Sequence, residues 1–190
     1  MHSRSEKCLS SKYKLIYVLN SYSSRDATHF SHVFHLLNRM AEIGCQITLI
    51  IEKLHSPPEG LDPSIRIIGL TNKKPGFRHI ELFLLLLGLI REGYTRSFFR
   101  INAAACIVGA LAHKILGGNT FLRQSGTTHE WDWAQPFGIK KIRWWVSSYL
   151  PNRLAWSVTT YFVTGPEKMV EYYPILPTCS GHHSNLVNWR

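Results

Sequence analysis

The chain has 190 residues, 45% hydrophobic and 18% charged, a balance that excludes disordered and fibrous classes and suits one domain with a real core. Its 22 Lys and Arg against 12 Asp and Glu leave a formal charge of +10, which calls for an anionic partner: nucleic acid, anionic lipid or a phosphorylated small molecule. Four scattered cysteines, Cys8, Cys45, Cys106 and Cys179, make no zinc knuckle or disulfide framework and fit a reducing, cytoplasmic compartment.

Residues 1–13 are charged, lack the apolar core of a secretory signal and read as a flexible N-terminal segment. Lys14 to Asn20 (KLIYVLN) is apolar and rich in strand formers, and Ser21 to Arg25 follows as a turn. From Thr28 to Ile43 the period changes: Phe30, Val33, Phe34, Leu37, Met40 and Ala41 form the stripe of an amphipathic helix, which Gly44 closes. Cys45 to Glu52 is a second strand, so the first fifty residues make a βαβ unit that crosses over right-handed into a parallel sheet.

The pattern repeats downstream. Pro57, Pro58 and Gly60 mark a loop before a strand from Ile65 to Leu70, and Asn72 to Gly76 is a turn before a helix from Arg78 to Tyr94. Its apolar run, Ile80 to Ile90, falls short of the about 20 residues that span a bilayer. A strand from Ser97 to Ile101, a helix from Ala103 to Leu116 stopped by Gly117 and Gly118, and a strand from Asn119 to Gln124 come next. Ser125 to Pro136 is a polar, Trp-bearing loop. A helical region from Ile139 to about Ser157, bent near Pro151, leads to a strand from Tyr161 to Thr164 and a short helix from Pro166 to Tyr173. Six strands alternating with helices predict a single α/β domain, a three-layer, Rossmann-like, doubly wound parallel sheet over residues 14–178. Ligands in such sheets bind beyond the carboxyl ends of the strands, which directs attention to the loops after Asn20, Leu70, Ile101, Gln124 and Thr164.

The first of these loops, NSYSSRDATHF, contains no glycine, so it cannot bring backbone amides close to a pyrophosphate as an NAD-binding loop does. Ser21, Ser23, Ser24 and Arg25 can hold an anion or sugar hydroxyls near the helix start, or serve as a solvated turn with capping hydroxyls. His29, His32 and His35 lack the i, i+4 spacing of helical metal ligands, so no metal is expected. His29, beside the expected cleft, is the candidate ligand contact. Cys179, His182 and His183 have no second ligand pair and read as loop.

The segment QSGTTHEWD leaves the fifth strand at the ligand edge. It offers His129 and Glu130 as acid, base or hydroxyl-orienting groups, with Trp131 and Trp133 as faces on which a sugar ring can stack. No Gly-x-Ser-x-Gly elbow points to a hydrolase. From Trp133 to Pro166 there is no acidic residue, while Lys140, Lys141, Arg143 and Arg153 accompany Trp144, Trp145 and Trp156. One reading sets these on an anionic membrane surface, with indoles at headgroup depth and cations on phosphates. The other packs the tryptophans in the core and leaves a solvated basic face. Nucleic acid ranks below both, since no nucleic-acid-binding signature accompanies the charge.

With its segments in place, the chain resembles the N-terminal, acceptor-side domain of family 4 glycosyltransferases of GT-B architecture. The stretches that carry the resemblance are Tyr17 to Lys53, FFRINAAA from Phe98, LGGNTFLRQSG from Leu116, and YFVTGPEKMVEYY from Tyr161. The closing LVNWR is similar to the stretch that leads into the family's second domain, with Val187 in place of the usual proline. The resemblance implies an acceptor-binding half that transfers sugar to a glycan or lipid-linked acceptor, without metal or other cofactor. Nucleotide-sugar would bind only with a second, donor-binding domain or a complementary chain, towards which residues 179–190 would be a truncated linker. It matches the family's loop histidine to His129, and it implies that Arg100 and Arg123 orient an anionic acceptor or the leaving diphosphate, unless each forms a structural salt bridge. The alternative is a non-catalytic binding or membrane-surface module of the same fold. Either form would be cytoplasmic, peripheral on the inner membrane face.

Overall fold

A strand covered on both faces must be apolar on both, and the first strand is: Ile16, Tyr17, Val18 and Leu19 are all buried. In the computed structural model, which describes residues 13–124 and 138–163, this strand is β1 (Lys14–Tyr22). A single 3₁₀ turn and α1 (Ala27–Glu42) follow, then β2 (Gln46–Leu54), β3 (Arg66–Gly69) and α2 (Pro75–Arg91). The chain continues through β4 (Arg96–Arg100), α3 (Ala103–Leu116) and β5 (Asn119–Arg123). The last described stretch comprises α4 (Ile139–Trp144), a π-helical turn (Trp145–Tyr149), α5 (Leu150–Val158) and β6 (Tyr161–Val163).

All six strands are parallel, in the order β3-β2-β1-β4-β5-β6. The sheet grows outward from β1 to β3 and then restarts on the other side of β1, so the switch in direction falls between β1 and β4. The fold is therefore the expected Rossmann-like doubly wound sheet. One face packs Tyr17, Leu19, Leu49 and Ile51 against Val33, Phe34 and Leu37 of α1. The other packs Val18, Ile50, Phe99 and Leu122 against α2, α3 and α5, with Leu82, Leu86, Cys106 and Ala155 at the contact.

Several bounds differ from the sequence reading for identifiable reasons. β1 runs through Ser21 and Tyr22, read as a turn, because Tyr22 is buried between Phe30 and Phe34. α2 begins at Pro75, three residues before the predicted start, with proline in its first turn. It ends at Arg91 because Gly93 takes a φ of 96°, which leaves the buried Tyr94 outside the helix. The bend expected at Pro151 is instead a widening of the helix just before it, where the Leu150 N–H donates to Trp145 O. A proline ring crowds the carbonyl four residues earlier, and a π turn relieves that. The helix predicted over 166–173 lies outside the described residues.

Candidate functional site

β4 and β5 end in arginines. Arg100 and Arg123 are register partners on neighbouring parallel strands, so their side chains leave the same face of the sheet. This is the α1 face, next to the switch point, where Tyr17 of β1 stacks on Phe98 of β4 at 5.0 Å. The Arg100 guanidinium lies over the Phe30 ring at 5.5 Å, and its Nη2 is 3.3 Å from His32 Nε2. A guanidinium only donates, so Nε2 must accept and His32 is held neutral. Burial lowers the His32 pKa first, and Arg100, Arg123 and His29 lower it further. Burial raises the Tyr17 phenol, partly offset by the two arginines. Arg100 Nη1 is buried with no hydrogen-bond partner among the described residues.

Among the described residues, no carboxylate answers these charges. The ion pairs among the described residues are Arg39–Glu42, Arg66–Glu92 and Arg78–Glu52, and none touches the cluster. The salt-bridge alternative for Arg100 and Arg123 therefore finds no partner there. Two guanidinium groups, with the neutral His32 beside Arg100, instead form a cationic floor at the carboxyl edge of the sheet. Such a floor suits a phosphate, diphosphate or carboxylate ligand.

The acid near the end of β2 is committed elsewhere. Glu52 stands near the end of β2, where a dinucleotide-binding sheet presents its ribose-binding acid. Here it faces the opposite side, 3.1 Å from Arg78 Nε of α2, and accepts from Asn102 Nδ2. Asn102 in turn caps α3 by accepting from the Ala105 N–H at 3.1 Å. Burial pushes the Glu52 carboxyl up, with Arg78 only partly opposing. This buried link ties β2 to α2 and α3 beneath the edge. Between Arg100 and Asn102, Ile101 takes a φ of 52°, a strained turn for a β-branched residue.

The first-loop serines split between strand and turn. Ser21 belongs to β1, Ser23 Oγ accepts from the Arg25 N–H at 3.3 Å, and the Ser24 N–H donates to Ser56 Oγ at 2.7 Å. Ser23 thus makes the local bond that the capping reading asked for, while Arg25 and His29 are exposed. His32, not singled out by sequence, is the histidine that meets Arg100. What places it there is a contact 68 residues away, which no local spacing encodes. His129, Glu130 and Trp131 lie outside the described residues. Lys140, Lys141, Arg143 and Trp144 lie on α4, and Trp145 opens the π turn. Trp144 and Trp145 meet Tyr149 at 5.9 and 6.2 Å, while Trp156 packs on Phe162 and donates to Gln124. Trp156 therefore follows the core reading, and Trp145 remains 43% exposed. Among the described residues, no three His, Cys, Asp or Glu side chains gather to hold a metal. None of the described helices is long and apolar enough to cross a membrane.

No protein-family profile matches the chain, and no curated protein does. Solved structures do. A UDP-GlcNAc 2-epimerase from Neisseria meningitidis bound to UDP-GlcNAc is similar over 85% of this chain and 44% of its own, at 13% identity and a TM-score of 0.55. A UDP-GlcNAc 2-epimerase from Methanocaldococcus jannaschii is similar over 81% of this chain and 40% of its own, at 12% identity and a TM-score of 0.51. The chain has the fold of a GT-B-like, Rossmann-type unit. It spans about two fifths of the length of the enzymes it matches.

Proposed function

We propose that this chain is the acceptor-binding half of a nucleotide-sugar-dependent glycosyltransferase, acting on a glycan or lipid-linked acceptor in the cytoplasm. The observation that carries the reading is the Arg100–Arg123 pair at the carboxyl edge of a GT-B-like sheet, with no carboxylate paired to either among the described residues. The fold supports it, since proteins that share it include enzymes of UDP-GlcNAc. In this reading Arg100 and Arg123 hold the phosphate of the acceptor or the leaving diphosphate, whose developing charge they stabilise. His32, kept neutral, accepts the Arg100 N–H and aims the guanidinium, and His29 and Arg25 line the approach. His129 is the proposed acid or base, and Glu130 and Trp131 orient and stack the sugar. Transfer itself requires a donor-binding partner domain.

Calorimetric titration with inorganic pyrophosphate and with UDP tests the anion site. Binding that weakens with salt and falls at least tenfold in R100Q and R123Q is expected. Native-like binding in both variants would remove the site. Sugar transfer by the chain alone would remove the claim that it needs a partner.

A further inference from the structure

Ile101 stands at the carboxyl edge between two residues with defined tasks. Arg100 before it belongs to the cationic floor, and Asn102 after it caps α3 and donates to Glu52. The Ile101 N–H donates to Arg123 O at 2.8 Å, which ties it to the strand that carries the second arginine. The switch in strand direction falls between β1 and β4, so the end of β4 lies where doubly wound sheets bind ligands.

The backbone of Ile101 is costly. Among the described residues it is the one non-glycine with a positive φ, at 52°. Left-handed geometry crowds a β-branched side chain, whereas Gly or Asn would make the same turn with less strain. The turn itself has a structural task, since it ends β4 and sets Asn102 at the head of α3. The isoleucine side chain has no comparable one: it is 51% exposed and belongs to neither apolar cluster of the core. A strained residue whose side chain the core does not use points to a role in binding.

The surroundings define that role. Ile101 sets aliphatic surface at an edge whose neighbouring side chains are two guanidinium groups. An inorganic anion uses the cations alone, while a phosphate ester can also lay its organic group on the hydrocarbon. We propose that Ile101 contacts the ligand and selects organic phosphates, with apolar surface next to the anionic group, over inorganic ones. This rests on the anion-site reading of Arg100 and Arg123 and adds the residue that sets its specificity.

Calorimetric titration of the 190-residue chain with inorganic phosphate, hexyl phosphate and uridine monophosphate tests it. At least one ester should bind at least tenfold more tightly than inorganic phosphate, and its identity distinguishes an alkyl chain from a nucleoside. I101N should lose most of that preference while keeping its affinity for inorganic phosphate. Its melting temperature should not fall, because Asn adopts positive φ more readily than Ile. I101L, still apolar, should keep most of the preference. Equal affinities for esters and inorganic phosphate in the native chain would overturn the proposal, as would an undiminished preference in I101N. A melting temperature several degrees lower in I101N would also overturn it, by assigning the side chain to stability. If neither inorganic phosphate nor pyrophosphate binds the native chain, the anion site itself falls, and the role of Ile101 with it.

Discussion

Arg100 and Arg123 end neighbouring strands in register, two cations on one face with no carboxylate paired to either among the described residues. Like charges side by side on a sheet cost roughly 0.2–1 kcal/mol. A fold that keeps such a pair at its ligand edge trades stability for binding. R123Q should therefore raise the melting temperature of the ligand-free chain by about 1–3 °C. The same variant should lose the stabilisation that pyrophosphate gives the native protein. Differential scanning fluorimetry with and without pyrophosphate reads both effects. A lower melting point together with an intact pyrophosphate shift would show that the pair is structural.

Glu52 and Arg78 form a different kind of pair, both buried and each the other's ionic partner. Removing one member strands the other's charge, at a cost of about 3–5 kcal/mol. R78M should lose that much in urea denaturation, and E52Q/R78M should regain most of it. The pH dependence has a definite sign. Burial raises the Glu52 pKa above its ordinary 4.5, so the folded state binds more protons than the unfolded one above that pH. The contribution of Glu52 is fully present below 4.5 and is lost as pH rises through the folded value. R78M removes the opposing cation and should extend that loss to higher pH.

His113 predicts the opposite trend. Its Nδ1 donates to Gly117 O at 3.1 Å, so Nε2 accepts from the Ser97 hydroxyl at 2.7 Å, and the ring is buried and neutral. Burial lowers its pKa below 6.5, with the Gly117 bond partly offsetting. The unfolded state then binds more protons as pH falls, so stability is complete above about 6.5 and declines as pH drops through the folded value. H113Q should cost about 1–3 kcal/mol at pH 8 and flatten the decline between pH 7 and 5. Urea midpoints across that range decide it; an unchanged slope would assign the pH dependence to other groups, His32 first.

The fold was legible because its periodicities are local. α3 falls on the predicted residues, since Asn102 caps its start and Gly117 ends it, and both signals sit beside the helix. What escaped the sequence depends on distant contacts. Ser21 and Tyr22 look like a turn until Phe30 and Phe34 bury the tyrosine ring. Sequence position favours His29 over His32, until β4 brings Arg100 beside His32. Arg100 and Arg123 were visible as strand-end cations, but only the register of β4 and β5 shows that they share a face.

Gly109 connects the core to that edge. It lies on α3 where the helix crosses β4, and a Cβ there would stand 2.1 Å from the Phe99 ring, whose side chain is fully buried. Alanine favours helix by up to about 1 kcal/mol, but overpacking a closed core costs about 1–3 kcal/mol. G109A should therefore destabilise on balance. F99L/G109A should recover part of the loss, and a double-mutant cycle measures the coupling. Because α3 starts two residues after Ile101, lifting it off β4 should also disturb the end of that strand. G109A should accordingly weaken pyrophosphate binding several-fold without touching a residue of the cationic floor. Unaltered binding in a destabilised G109A would show that the edge is held by the Glu52–Asn102 link alone.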